Sequence, residues 1–144
     1  MSDVDDRATS AWRSMRGLVL DLHDRRMAVS EAIGMSYLRA KALRLLTSGP
    51  MPMRDLGAAL VTDPPYITVI VDDLEEKGLV VRQVNPSDRR SKLVRITAAG
   101  RKVARRADEI QSAPPAALSA LSAAELATLD AILRRLVESS DADR

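Results

Sequence analysis

Apolar residues in this chain recur mostly at three- and four-residue intervals, the spacing of one face of an α-helix. Trp12, Met15, Val19 and Leu22 draw such a stripe, with charged residues opposite, and predict a first helix over roughly residues 5–28. Ile33-Gly34-Met35 interrupts the pattern. Ser36 can cap a second helix carrying Leu38, Ala42, Leu45 and Leu46, which Gly49-Pro50 ends. A short third helix fits Met53 to Leu60, with Leu56, Ala59 and Leu60 facing inward.

The fourth helix has the clearest boundaries. Asp63 is a good N-cap, and Pro64 suits the first helical position, where its missing N–H would be unpaired anyway. Ile67, Ile70, Val71 and Leu74 fall at i, i+3, i+4 and i+7 and form the buried face, and Gly78 stands just past the end. Pro65, Tyr66, Thr68, Val69, Asp72 and Asp73 are left pointing outward. The segments 79–84 and 93–97 are short and rich in β-branched residues, so they predict two strands joined by the polar loop Asn85-Pro86-Ser87-Asp88-Arg89-Arg90-Ser91-Lys92. Thr97 can cap a fifth helix whose Val103, Ala107 and Ile110 are apolar and which Pro114-Pro115 closes. Ser122-Ala123-Ala124-Glu125 is a capping box opening a sixth helix, with Leu126, Leu129, Ile132, Leu133 and Leu136 on one face.

Six helices and one hairpin, with no internal repeat, predict a mainly α (α+β) fold. The third helix, tight connection and fourth helix read as helix-turn-helix, the fourth being the recognition helix, and the hairpin adds a wing. The chain of 144 residues fits one compact domain, and its only aromatic residues are one Trp and two Tyr, so Leu, Val, Ile, Ala and Met must fill the core. Zero cysteines exclude disulfides, thiolate metal sites and cysteine redox sensing. No apolar run approaches the ~20 residues of a membrane span. The acidic start Met1-Ser2-Asp3-Val4-Asp5-Asp6 lacks the features of a signal peptide, and the expectation is a cytoplasmic protein without a membrane partner.

Charge changes the picture once it is resolved along the chain. The net charge is only +2, yet the segment 82–106 holds nine Lys or Arg against one acid, Asp88, leaving −6 for the remainder. Nucleic-acid binders carry such a local footprint, although a solvated surface can be basic too. A cationic hairpin beside a short helix is how a winged helix holds double-stranded DNA, one element in the major groove and the other over phosphate or minor groove.

The runs Asp72-Asp73-Leu74-Glu75-Glu76-Lys77-Gly78-Leu79-Val80-Val81-Arg82, Asn85 to Lys92, and Ile96-Thr97-Ala98-Ala99-Gly100 occur in this order and spacing. Together they resemble the signature of MarR-family transcriptional regulators, and the likeness extends over roughly residues 8–138. The resemblance implies a homodimer whose first, fifth and sixth helices form the dimer region, here 1–33 and 100–144, around a DNA-binding winged helix-turn-helix at 34–99. It implies a pseudopalindromic operator, and release from DNA when a small aromatic or anionic effector binds between the two regions. It also gives Asp88 and Arg90 of the wing a paired role, the acid aiming the arginine at the minor groove, which agrees with the attraction of narrow minor grooves for Arg.

Arg89 and Lys92 are expected on phosphate, which adds affinity without sequence information. Members of the family often carry arginine where this chain has Val69 and Asp73. Guanine readout by Arg is therefore absent at those positions, leaving Thr68 and Tyr66 as donors and Pro65, Tyr66 and Val69 for thymine methyls. Asp72 and Asp73 are expected to face away from the groove or to pair with neighbouring cations.

Trp12, Val19, Leu22, Leu126, Leu129, Ile132, Leu133 and Leu136 would be exposed in a monomer and are the candidate dimer interface. Trp12, Met15, Met35 and Tyr37 are candidates for an effector pocket or for core and dimer packing. His23 is the only histidine, and without a second ligand pattern no metal or cofactor is expected. Neither a Ser-His-Asp set nor a glycine-rich phosphate loop is visible, so an enzyme is not expected. The function read from the sequence is a homodimeric, sequence-specific DNA-binding regulator, a repressor relieved by a small molecule. The alternative is a winged-helix protein-interaction module or a non-specific architectural DNA binder.

Overall fold

The structure, a computed structural model, describes residues 2–142; Met1, Asp143 and Arg144, which belong to the expected terminal helical regions, lie outside the described residues. The chain divides into two compact units, one ending at Ser112 and the other beginning at Ala113. The first holds α1 (Asp3–Arg16), a wider π-helical turn (Gly17–Leu22), α2 (Arg26–Ile33), α3 (Tyr37–Leu46), β1 (Met51–Pro52), α4 (Met53–Leu60), α5 (Pro64–Glu76), β2 (Val80–Val84), β3 (Lys92–Ile96) and α6 (Ala98–Gln111). The second holds a 3-10 turn (Ala116–Ala120) and α7 (Ala123–Ala142). The expected mainly α fold with a winged helix-turn-helix is present: α4 and α5 flank a tight turn, and the β2–β3 hairpin follows.

Local chemistry sets most boundaries. Ser36, Asp63, Thr97 and Ser122 each accept a backbone N–H from the first turn of the helix they open, at Arg39, Tyr66, Gly100 and Glu125 respectively. Glu125 returns a bond to the Ser122 N–H, completing the expected capping box. Gly78 takes φ +72° after α5, in the left-handed region that favours glycine.

The core lies beneath α5. Leu43 and Leu46 of α3, Leu56 of α4, Ile70, Val71 and Leu74 of α5, Val80 of β2 and Val94 of β3 are fully buried, each large side chain contributing about 1.5–3 kcal/mol by leaving water. A smaller cluster joins Val29 of α2, Ala40 of α3 and Ala107 of α6, with Ile33, Tyr37 and Ile110 against it. The wing is stitched to α6 at its base. The Thr97 N–H donates to the Leu79 carbonyl at 3.0 Å, and the Thr97 hydroxyl to the Gly78 carbonyl at 2.7 Å.

Three expectations need correction. The first helix is not continuous over 5–28, because the chain leaves helical geometry at His23 to Arg25. There the Asp24 carboxylate accepts both the backbone N–H and the guanidinium of Arg26, at 2.9 and 2.7 Å, which competes with helical bonding and starts α2 afresh. The Arg26 guanidinium and then its N–H hold the Asp24 carboxyl down at about 2. Ala59 is exposed rather than inward, and Gly57 occupies the inner face instead, where an added Cβ would already sit 3.4 Å from Ile67. Finally, β1 pairs antiparallel with β3 through Met51 opposite Val94 and Pro52 opposite Leu93, making a three-stranded sheet of order β1-β3-β2.

Candidate DNA interface

The outward side of α5 divides into a neutral N-terminal half and an acidic C-terminal half. Pro65, Tyr66, Thr68 and Val69 are exposed in the first half. The Thr68 hydroxyl donates to the Pro64 carbonyl at 3.1 Å, so its proton is engaged within the helix. In the second half Asp73 accepts from Arg39 Nε of α3 at 2.7 Å and from Lys77 Nζ at 3.0 Å. Those two bonds, Lys77 first and Arg39 second, hold the Asp73 carboxyl below its ordinary 3.8. Asp72 pairs with the Arg82 guanidinium, which also donates to Glu75 at 3.1 Å. The acids of the recognition helix therefore pair with neighbouring cations, as expected, and Arg82 is spent on them rather than on the basic surface.

The tip of the wing is ordered by its own backbone. Asn85 Oδ1 accepts from the Ser87 N–H at 3.0 Å, Asp88 Oδ1 from the Arg90 N–H at 3.0 Å, and the Asp88 carbonyl from the Ser91 N–H at 3.0 Å. The first two are Asx turns, in which a short polar side chain reaches the amide two residues on, and the third is a backbone turn bond. The expected carboxylate–guanidinium pair between Asp88 and Arg90 does not form here; Asp88 binds the main chain of Arg90 instead. Among the described residues no ion pair engages Arg89, Arg90 or Lys92, so three cations stand on a loop whose backbone is fixed.

Between α4, the start of α5 and this loop runs an open cleft of about 870 Å³. Of the sequence-predicted residues it brings together Thr68, Asp88, Arg90 and Lys92; Pro65, Tyr66, Val69 and Arg89 are exposed beyond its lining. It adds Arg54 of α4, which the sequence reading missed. A single arginine early in a short helix carries no signal by itself; only the tertiary placement of the wing puts it opposite Arg90 and Lys92. Arg54 is highly exposed, and among the described residues its sole ion pair, to Asp55, is long at 3.9 Å. Thr62 also lines the cleft, and its buried hydroxyl has no hydrogen-bond partner among the described residues.

The other candidate residues are dispersed. Trp12 is 63% exposed on α1, Met15 and Met35 are half-buried, and Tyr37 accepts a hydrogen bond from Gln111 Nε2 at 2.7 Å. Met35 packs on the larger cluster and Tyr37 in the smaller one, and neither this cleft nor the groove between α3 and α6 is lined by any of the four. In the first unit Val19 and Leu22 are exposed; in the second, Leu126, Ile132, Leu133 and Leu136 are exposed and Leu129 is half-buried. His23 sits at the break after the π-helical turn. Among the described residues no group of three or more His, Cys, Asp or Glu is placed to hold a metal ion, and no helix is long and apolar enough to cross a membrane.

Comparison with known proteins places this geometry. The profile of the MarR family matches residues 39–92, from α3 to the wing. A MarR family transcriptional regulator from Streptomyces coelicolor, Sco5413, is 31% identical with a TM-score of 0.58, the alignment covering 98% of this chain and 97% of that one. The transcriptional regulator BldR from Sulfolobus solfataricus is 30% identical with a TM-score of 0.61, covering 94% and 99%. A putative transcriptional regulatory protein for the hcr operon of Thauera aromatica is 34% identical over 96 residues, covering 65% of this chain and 58% of that protein. The chain thus spans less than two thirds of some curated relatives it matches, 62% in one case and 58% in another. With near-complete coverage of two solved regulators at 30% identity or above, the chain belongs to the MarR family of transcriptional regulators.

Proposed function

We propose that the protein is a homodimeric, sequence-specific repressor that binds a pseudopalindromic operator in double-stranded DNA. The observation that carries this reading is the cleft between α4, the start of α5 and the wing, whose lining holds Arg54, Arg90 and Lys92 and a single acid, Asp88, with its carboxylate turned to the backbone. A groove of one charge sign focuses its field on a ligand of the opposite sign, here the phosphate chain. The start of α5 then enters the major groove while the loop 85–92 lies over phosphate and minor groove. Pro65, Tyr66, Thr68 and Val69 face bases, Arg90 the minor groove, and Arg54, Arg89 and Lys92 phosphates.

Dimerisation follows from the apolar residues left exposed in each unit, since large exposed patches mark interfaces and a two-fold pair suits half-sites about one DNA turn apart. In this reading the helical regions 1–33 and 100–144 make the dimer and 34–99 the DNA-binding lobe. Relief by a small aromatic or anionic effector rests on the family resemblance, with Trp12, Met15, Met35 and Tyr37 as candidate pocket residues, and the setting is the cytoplasm.

The test is selection of bound fragments from genomic DNA, followed by titration of the best site against random duplex. A pseudopalindrome bound at least ~1000-fold more tightly than random sequence supports a specific regulator. Uniform binding of all duplexes would reduce the protein to an architectural role, and absence of binding would leave a protein-interaction module.

A further inference from the structure

The DNA-binding reading, on which this step rests, leaves open what α5 can discriminate. Major-groove readout uses Arg, Lys, Asn or Gln against purines, carboxylates against the cytosine amino group, or apolar contact with the C5 methyl of thymine. The outward N-terminal half of α5 has no side chain of the first kind. Its carboxylates are withdrawn: Asp72 by Arg82, and Asp73 by Arg39 and Lys77. The proton of the Thr68 hydroxyl is held by the Pro64 carbonyl. Apart from the Tyr66 hydroxyl, what remains is apolar surface, with Val69 52% and Tyr66 43% exposed.

We propose that Val69 and Tyr66 read thymine methyl groups, so that the operator half-site carries thymines under the first turns of α5. Val69 leaves 52% of its surface exposed on the helix face that meets the bases in this reading, and contact with a methyl group in the major groove removes both apolar surfaces from water. The rest of the sequence preference then comes from the wing and from DNA shape, since neither depends on base edges in the major groove.

The test uses the full-length protein and the best duplex selected from a randomised library. That duplex is compared with one in which deoxyuridine replaces the half-site thymines, a change that deletes only the C5 methyl and leaves the minor groove untouched. Each contacted methyl removed is expected to weaken binding about fourfold, the worth of one buried methylene-sized group. Val69→Ala, at an exposed position that leaves the core intact, is expected to bind the thymine and uridine duplexes more nearly alike. Specific binding that ignores uridine, or a selected half-site without thymine under α5, overturns the proposal while leaving DNA binding standing. So does a full uridine penalty retained in both Val69→Ala and Tyr66→Ala. Failure to prefer any duplex overturns this proposal and the sequence-specific reading together.

Discussion

Arg39 on α3 donates its Nε–H to the Asp73 carboxylate on α5 across 2.7 Å, with the two side chains only 17% and 28% exposed. The bond spans helices whose buried faces share one core, so it fixes the rotation of the recognition helix as well as withdrawing an acid from its outward side. Because Lys77 and Arg39 hold the Asp73 carboxyl below its ordinary 3.8, the stabilisation is fully present above that value and is lost as pH falls through the lower folded value. Asp73→Asn is therefore expected to melt at a lower temperature than the parent at neutral pH, with the gap narrowing at an acidic pH below 3.8. Thermal melts at both pH values check this; an equal gap at both would contradict it.

Val61, in the turn between α4 and α5, adopts φ +56° with its side chain 89% exposed. A β-branched residue in the left-handed region costs about 1–2 kcal/mol, and at 89% exposure this one buries little surface to offset the strain. Val61→Gly is expected to stabilise the fold by about 1 kcal/mol after the greater freedom of glycine in the unfolded chain is deducted. The neighbouring Thr62 hydroxyl is buried with no partner among the described residues, and Thr62→Val is expected to stabilise by a further increment of about 1 kcal/mol. Chemical denaturation of both variants tests the pair; a loss of stability in either would show that the turn is held by something other than these two conflicts.

At the base of the wing, a Cβ on Gly100 would lie 2.1 Å from the Leu79 carbonyl oxygen and 2.7 Å from Ile96. Neither backbone nor a buried strand residue can yield cheaply there. Gly100→Ala is expected to destabilise by about 1–3 kcal/mol or more, since overpacking displaces the α6 start from the sheet. Ala99→Gly, at an exposed neighbouring position on the same helix, is the control and is expected to cost about 1 kcal/mol at most. Denaturation midpoints that do not separate the two would refute the close approach.

What could be read from the sequence was what local chemistry decides. Asp63-Pro64, the spacing of Ile67, Ile70, Val71 and Leu74, and Gly78 mark α5 within one stretch of chain, and the structure follows them. The wing was legible for the same reason, its β-branched runs flanking a polar turn. What depended on tertiary placement was not. The pairing of Met51–Pro52 with β3 joins segments far apart in sequence, Arg54 gains its neighbours only once the wing folds beside α4, and Gly57 displaces Ala59 from the inner face through Ile67 of another helix. At Asp24 and Asp88 a short side chain had two partners available, and in both cases the nearby backbone amide took a share that periodicity or family resemblance does not reveal.

The apolar residues exposed on α7 and near the π-helical turn lead to a statement about mass. Light scattering at micromolar concentration is expected to give twice the 15.7 kDa of one chain. Leu133→Asp, at a surface position of α7 in the lone chain, is expected to shift the population to monomer, because a charge placed in an apolar interface loses its hydration without gaining a partner. A monomeric parent would remove the two-fold reading of the operator.

The central claim, that the loop 85–92 docks on DNA phosphates beside α5, is tested most directly by measuring affinity for the selected duplex against salt concentration, for the parent and for the Arg89→Ala, Arg90→Ala double variant. With roughly six or more phosphates neutralised by a dimer, log K should fall with log salt at a slope of about −5 or steeper, and the variant should weaken binding and flatten the slope by about 3 while remaining dimeric. Binding indifferent to salt, or a variant as tight and as salt-sensitive as the parent, would contradict the account.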